Sequence, residues 1–193
     1  MWAADRLCLA AVPLVPEVRL YLADDVVELW EYLETGAGTV LEPPFWARAW
    51  PGSQALARYV LDRPDAVAER RVLDLAAGCG LAAVAAALAG ALSVTANDVD
   101  AYALAAVRRN ASANGVELAV NGTDLLDGDG GDAEVVLAGD VFYNRPMALR
   151  VAGFLDRAAA RGADVLVGDP GRAFLPRERL AAVAGYETVH VWR

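Results

Sequence analysis

The chain has 193 residues, 56% of them hydrophobic and 22% charged, which is enough for one well-filled core. Its 26 acidic residues outnumber its 17 basic ones, and the formal charge of -9 disfavours nucleic acid as a substrate because it repels a phosphate backbone. Two cysteines are too few for a disulfide framework. With one histidine and no two cysteines at the spacing of metal ligands, the sequence also argues against a metal site.

The first residues of the sequence do not have the pattern of a signal peptide. Asp5 and Arg6 stand where a signal peptide needs an apolar block, and no run of about 18 apolar residues follows anywhere. We therefore expect one domain over residues 1–193 that stays in the cytoplasm and does not enter a membrane.

Residues 1–70 are rich in tryptophan and contain the turn-forming stretch LEPPFWARAWPG. The segment SQALARYVLD predicts a helix, with Ser53 as its N-cap and with Leu56, Tyr59 and Val60 on one face. We interpret residues 1–70 as a helical segment or lid around the front of the core.

Residues 71–193 alternate short β-branched runs with alanine-rich segments of helical length, ending in RERLAAVAG and then YETVHVW. This alternation is typical of the α/β class, with a doubly wound, mostly parallel, Rossmann-like sheet covered on both faces. Gly115 and Gly162 follow two of the predicted helices, where a left-handed C-cap is expected.

Ligands of such sheets bind outside the carboxyl ends of the strands, near the point where strand order reverses. The first strand, RVLDL, runs into the small residues 76–80, although a tight turn needs glycine in any case. The second strand leads to Asp98, about 20 residues past the turn, where a carboxylate accepts hydrogen bonds from ribose hydroxyls. Asp98 would otherwise be a helix N-cap, a role that Asp100 can fill instead.

The third and fourth strands also end in acids. Asp124 follows VELAVNG and is either an acceptor for an adenine amino group or a turn carboxylate in water.

The turn AAGCG, after the first strand, lacks the GxGxxG pattern of dinucleotide sites, so an adenosyl group without phosphates fits it better. The fourth strand continues as VVLAGDVFYNRP, where Asp140 is followed by Phe142 and Tyr143. We interpret these side chains as functional, because a buried strand does not require them.

The stretches VLDLAAGCG, TANDVD, NGTD and GDVFY resemble the successive motifs of a seven-strand, Rossmann-like methyltransferase that uses S-adenosyl-L-methionine. More closely, PEVRLYL, PPFWARAWPGSQALARYVLD, ANDVDA, GDVFY and VLVGDPGR resemble the family of lysine methyltransferases that modify the β-subunit of electron transfer flavoprotein. The likeness runs in order and at similar spacing from about Pro16 to Arg172.

The resemblance implies a cofactor, S-adenosylmethionine, and a protein acceptor like that β-subunit. It implies cofactor contacts from Trp46, Asp74, Ala76, Gly78, Gly80, Asp98 and Asp124, and catalytic roles for Asp140 and Tyr143. Ala76 stands where many relatives carry glycine. Because the family normally adds a seventh, antiparallel strand, we expect that last strand to be missing or truncated here, and the oligomeric state stays open.

Methyl transfer to an amine builds positive charge on nitrogen, which a fixed carboxylate stabilises. We assign that carboxylate to Asp140 and expect Phe142 and Tyr143 to wall the acceptor channel. Asp169 either helps Arg172 to receive a protein or is a turn residue before Pro170. Two alternatives stay open: a methyltransferase for a small amine or nicotinamide-like acceptor, and a cofactor-binding domain without turnover. The intact set from Asp140 to Tyr143 favours an enzyme.

Overall fold

The computed structural model describes residues 4–186. It begins with a hairpin of β1 (Cys8–Val12) and β2 (Val15–Leu22), followed by helices α1 (Val26–Ala37) and α2 (Pro51–Asp62). Strands and helices then alternate as β3 (Arg71–Leu75), α3 (Leu81–Leu88), β4 (Ser93–Asn97), α4 (Ala101–Ala113), β5 (Ala119–Asn121), β6 (Val135–Gly139), α5 (Arg145–Ala160) and β7 (Asp164–Gly168). None of these helices is long and apolar enough to cross a bilayer.

Strands β3 to β7 form one parallel sheet in the order β5-β4-β3-β6-β7. The chain steps from β3 to one edge and then returns to continue on the other side, so the strand order reverses between β3 and β6. This topology confirms the predicted doubly wound sheet, and it places a ligand crevice at the carboxyl ends of β3 and β6.

Both faces of the sheet are covered. Val72 of β3 packs in the cluster that contains α2, α3 and the hairpin, whereas Leu73 and Leu75 pack in the cluster that contains α5. Because successive side chains of a strand point to opposite faces, a strand covered on both sides needs apolar residues at consecutive positions.

The N-terminal hairpin belongs to the core, which the helical or lid interpretation of residues 1–70 did not predict. Val15, Val18 and Leu20 of β2 are fully buried in the cluster that also contains α3. Asn110 of α4 joins the hairpin to the turn after β3: its amide oxygen accepts from the Tyr21 N–H at 2.7 Å, and its amide nitrogen donates to the Cys79 carbonyl at 2.9 Å.

The predicted helix at SQALARYVLD is confirmed, but it begins earlier. Its N-cap is Trp50, so the prediction of Ser53 as N-cap is wrong, and Ser53 is the third residue of the helix. Pro51 explains the earlier start, because proline suits the first turn, where no N–H is needed. The three residues predicted to share one face do so: Leu56 and Val60 are buried, and the partly buried Tyr59 packs against the same cluster.

The first turn of α2 lies directly on the ends of β6 and β7 through three glycines. A Cβ atom on Gly52 would lie 2.2 Å from the Gly168 carbonyl oxygen, and one on Gly168 would lie 2.1 Å from the Gly52 oxygen. A Cβ atom on Gly139 would lie 2.4 Å from the Ser53 hydroxyl oxygen. No side chain fits at these positions, so the backbones of helix and strands are in contact.

The helix caps were predicted better than the last helix. Gly115 and Gly162 have φ of +67° and +96°, which confirms both left-handed caps. The prediction of a helix over RERLAAVAG is wrong, because only Arg177–Arg179 form a 3-10 turn and residues 180–185 are not helical. Val183 stays 63% exposed there, and so short a helix is marginal without a buried face. The predicted strand YETVHVW, and with it the question of a truncated sheet, lies outside the described residues except for Tyr186.

We expect Gly52→Ala to lower the free energy of unfolding by about 2–3 kcal/mol, because its methyl group collides with backbone that cannot move aside. Gly36→Ala is the matched control, since Gly36 also lies in a helix but has no atom within 4 Å of an added Cβ. It should raise the free energy of unfolding by about 0.5–1 kcal/mol through helix propensity alone. Urea unfolding followed by circular dichroism measures both. Equal shifts for the two variants would contradict the close contact.

Candidate active site

A cavity of about 740 Å³ opens at the carboxyl ends of the strands. Its walls come from the segment before α2 and from the turns after β3, β4, β5, β6 and β7. Its size is within the range of pockets that hold small-molecule ligands. The cavity lies at the reversal of strand order, where a ligand was expected.

Most of the residues predicted for the site line this cavity. They are Trp46, Ala76, Gly78, Asp98, Asp124, Asp140 and Tyr143. Asp74 and Gly80 are not among the lining residues. Asp74 lies in β3, and Gly80 ends the turn after β3 as the N-cap of α3.

The turn after β3 runs through left-handed backbone at Ala76, Gly78 and Gly80, with φ of +53°, +54° and +78°. At Ala76 this conformation costs roughly 1–2 kcal/mol that glycine would avoid. A Cβ atom on Gly80 would meet Val107 at 3.0 Å, so Gly80 lets α3 pack closely against α4.

Asp74 holds the first turn of α3 against the sheet. Its side chain is 2% exposed, and its Oδ2 accepts a hydrogen bond from the Ala83 N–H at 2.9 Å. Ala83 is the third residue of α3, so Asp74 caps this helix from the neighbouring strand. Burial raises the pKa of the Asp74 carboxyl to about 7.

Asp98 connects two turns at the cavity wall. Its Oδ2 accepts from the Gly78 N–H at 2.9 Å and its Oδ1 accepts from the Asp100 N–H at 3.0 Å. Asp100 caps α4 by accepting from the Tyr102 N–H, so Asp98 is not needed for that purpose. Burial raises the pKa of Asp98. Each carboxylate oxygen keeps a second lone pair for a ligand.

The end of β4 holds a residue that sequence reasoning missed. Asn97 is 3% exposed, and its amide nitrogen donates to the carbonyls of Asn121 and Thr123 at 2.9 and 2.8 Å. These bonds fix the turn after β5 at the cavity rim. The signal in the sequence was a lone polar side chain at the end of an apolar strand, because such a group needs buried partners.

Asp124 combines a turn contact with a place on the cavity wall. Its Oδ1 accepts from the Leu126 N–H, and its Oδ2 pairs with Arg150 Nη1 at 2.9 Å. The Arg150 guanidinium holds the pKa of Asp124 below its usual range. Asp124 is therefore a turn carboxylate, as one of the two alternatives predicted, and it also faces the cavity.

Asp140 is held from both sides. It has left-handed backbone with φ of +60°, its Oδ2 accepts from the Ser53 N–H at 2.9 Å, and its Oδ1 accepts from Arg172 Nη2 at 2.7 Å. Burial raises the pKa of Asp140, while Arg172 and the N–H groups of α2 act in the opposite direction. Because Asp140 caps α2, the interpretation that the fold does not require it is wrong.

Phe142 does not wall the cavity as expected. Its side chain is fully buried in the cluster that contains α5, because the chain turns it toward that face of the sheet. Tyr143 is 50% exposed and lines the cavity. Its ring centroid lies 6.0 Å from that of Phe45, which lies 6.1 Å from that of Trp50. Sequence reasoning missed Phe45 and Trp50 as walls of the mouth.

Trp46 forms the inner wall of the segment before α2. Its side chain is 2% exposed and stacks on Tyr102, with ring centroids 6.3 Å apart and an interplanar angle of 14°. Since Tyr102 lies in the first turn of α4, this stack fixes the segment over the end of β4. Trp46 therefore both packs in the core and lines the cavity.

Asp169, after β7, is a turn residue with a buried side chain. Its Oδ1 accepts from the N–H groups of Gly171 and Arg172 at 2.7 and 2.6 Å. The Arg172 side chain turns toward Asp140 and lies 5.9 Å from the centroid of the Trp50 ring. A role of this pair in receiving a protein stays a prediction.

A doubly wound parallel sheet with a cavity at its switch point defines a Rossmann-like domain, and the family that its sequence matches makes it a methyltransferase domain. The profile of the methyltransferase small domain family matches residues 46–143, which span every predicted site residue from Trp46 to Tyr143. The chain is 40% identical over 170 residues to the electron transfer flavoprotein beta subunit lysine methyltransferase of Xenopus laevis, covering 83% of this chain and 65% of the relative. It belongs to that family of lysine methyltransferases, as the sequence motifs predicted.

Two further relatives support the assignment. The Danio rerio protein of the same name is 40% identical over 162 residues, covering 83% of this chain and 62% of the relative. The homolog from Caenorhabditis elegans is 30% identical over 187 residues, covering 89% of this chain and 76% of the relative. The chain thus spans 62% to 65% of the length of the two vertebrate relatives.

We expect the stability of the protein to depend on pH through Asp74. Because the folded state binds this proton more tightly than the unfolded chain, the free energy of unfolding falls as pH rises from about 4 to about 7. Asp74→Asn keeps an oxygen for the Ala83 N–H and removes the charge. The free energy of unfolding of the variant should gain about 2–3 kcal/mol relative to the wild type between pH 5 and pH 8, because the cost of ionising Asp74 grows over that interval.

Urea unfolding at the two pH values measures this difference. Asp156→Asn is the control, because the Asp156 side chain is 60% exposed and lies on the outer surface of α5. The free energy of unfolding of this control should differ from that of the wild type by the same amount at both pH values. If the Asp74→Asn difference is also independent of pH, the raised pKa of Asp74 is wrong.

Proposed function

We propose that the chain is an S-adenosylmethionine-dependent protein-lysine N-methyltransferase whose acceptor is the β-subunit of electron transfer flavoprotein. One observation carries the proposal: in a member of this family, a single cavity joins the Gly78–Asp98 corner to the mouth formed by Asp140 and Tyr143. Localisation in the cytoplasm stays a prediction from the sequence.

The cavity fits an adenosyl cofactor. Asp98 offers carboxylate lone pairs to ribose hydroxyls, and the backbone of Ala76 and Gly78 forms a wall without bulky side chains for the methionine part. Trp46 supplies an apolar surface, and Asp124 supplies an acceptor at the adenine end. When bound, the cofactor supplies an electrophilic methyl group on a sulfonium.

The mouth of the cavity suits a lysine side chain. The rings of Phe45, Trp50 and Tyr143 attract a cationic amine, and the same apolar walls favour the neutral form that attacks. Asp140 provides a fixed negative charge where positive charge grows on nitrogen. The lysine ammonium gives one proton to water before the neutral amine attacks the methyl group.

Binding of the cofactor tests the first half of the proposal. Asp98→Ala should weaken S-adenosylmethionine binding at least about tenfold, because it removes two acceptor oxygens from the wall. Isothermal titration calorimetry measures the dissociation constant. Asp132→Ala is the control, since that side chain is 89% exposed in a loop, and it should bind like the wild type. No binding by the wild type, or equal binding by Asp98→Ala, would refute the assignment.

Methylation of purified electron transfer flavoprotein tests the second half. Asp140→Asn should lower the rate at least about 100-fold while cofactor affinity is kept, because asparagine accepts left-handed backbone and still caps α2 but carries no charge. Mass spectrometry counts methyl groups on lysine. All 17 basic residues of the chain are arginines, so every methyl-lysine comes from the acceptor.

Asp156→Asn controls for the substitution and should be fully active. A fully active Asp140→Asn would remove Asp140 from the chemistry. If the wild type labels small amines in a cell extract and no protein, the acceptor is a small molecule and the protein-lysine assignment is wrong.

A further inference from the structure

Arg172 lies between two buried carboxylates. Its Nη2 donates to Asp140 Oδ1 at 2.7 Å, and its Nε lies 3.8 Å from Asp169 Oδ2. The carboxylate side chains are 9% and 1% exposed, whereas that of Arg172 is 27% exposed. Two acids and one guanidinium leave an excess of one negative charge, which a second cation can neutralise.

The contact between Arg172 and Asp169 is incomplete. Within residues 4–186, Asp169 Oδ2 and Arg172 Nε are both buried and neither has a hydrogen-bond partner. The two atoms are 3.8 Å apart, which is about 1 Å longer than a charge-assisted hydrogen bond. A small movement of Arg172 toward Asp169 satisfies both atoms, and an unmade bond of this kind is costly when buried.

The Arg172 guanidinium lies where the ammonium group of a lysine side chain could also bind. The guanidinium carbon lies 5.9 Å from the centroid of the Trp50 ring while the guanidinium bonds to Asp140. An aromatic face with a carboxylate is also the environment that binds a lysine ammonium. Arg172 therefore occupies Asp140 Oδ1, the oxygen that an acceptor amine would contact.

We propose that Arg172 is a positioning residue, which holds Asp140 in the absence of acceptor and moves onto Asp169 when an acceptor ammonium binds Asp140. The inference rests on the proposed function and adds a basis for acceptor choice. An ammonium replaces the guanidinium on Asp140 and brings the group to neutrality, whereas an uncharged acceptor offers nothing in exchange. The site thus selects cationic amines over neutral heterocycles.

The first experiment measures KM and kcat for electron transfer flavoprotein. Asp169→Asn keeps Oδ1 for the N–H groups of Gly171 and Arg172 but weakens the second position of Arg172, so Arg172 stays on Asp140. We expect KM for the acceptor to rise about tenfold, with the dissociation constant of S-adenosylmethionine unchanged. Arg179→Ala is the control, because Arg179 pairs with Asp156 on the surface.

A double variant separates this role from a merely structural one. In Asp169→Asn with Arg172→Ala, no guanidinium competes for Asp140, so KM should return to the value of Arg172→Ala alone. If Asp169 only stabilises its turn, KM of the double variant will be as high as that of Asp169→Asn, and the proposal is wrong. It also falls if Asp169→Asn leaves KM unchanged.

The second experiment does not depend on turnover. The NMR signal of the Arg172 Nε–H is followed while n-butylammonium, which mimics a lysine side chain, is added against sodium chloride at equal ionic strength. In the wild type, the proton should move downfield and exchange more slowly with water as it bonds to Asp169, and in Asp169→Asn it should not. An unchanged signal in the wild type overturns the inference. Failure to methylate lysine, by contrast, overturns only the proposed function.

Discussion

The contact between the first turn of α2 and the ends of β6 and β7 is the constraint on which the site depends. Gly52, Gly139 and Gly168 let backbone meet backbone there, and Asp140 closes the contact by accepting from the Ser53 N–H. This close approach sets the start of α2, and the segment before it, over the ends of β6 and β7. That segment carries Phe45, Trp46 and Trp50, three of the aromatic rings that line the cavity.

The same device occurs twice in the sheet. Asp74 and Asp140 each accept an N–H from the third residue of a helix, α3 and α2 respectively, so both helices are anchored to strands by buried carboxylates. A negative charge at a helix N-terminus is favourable, which offsets part of the cost of burial. The two aspartates differ in the carboxylate oxygen that does not cap the helix. In Asp140 this oxygen, Oδ1, accepts from Arg172, and Asp140 lines the cavity whereas Asp74 does not.

The sequence predicted the sheet and the position of the cavity because burial on both faces demands consecutive apolar residues, and polar groups at strand ends then mark the rim. It predicted less where partners are distant in sequence. The bonds of Asn110 to the hairpin and to the turn after β3 have no local signature. Phe142 and Tyr143 are adjacent, yet only the packing of α5 decides that the first is core and the second is cavity wall.

The capping role of Asp140 changes what its presence means among related sequences. A descendant that had lost turnover would still be under selection to keep aspartate or asparagine at this position, since α2 would loosen without an acceptor for the Ser53 N–H. Tyr143, with a half-exposed side chain, is under no such restraint from folding. In a set of homologues, drift at Tyr143 with either aspartate or asparagine kept at position 140 is therefore the pattern expected of enzymes that have lost turnover.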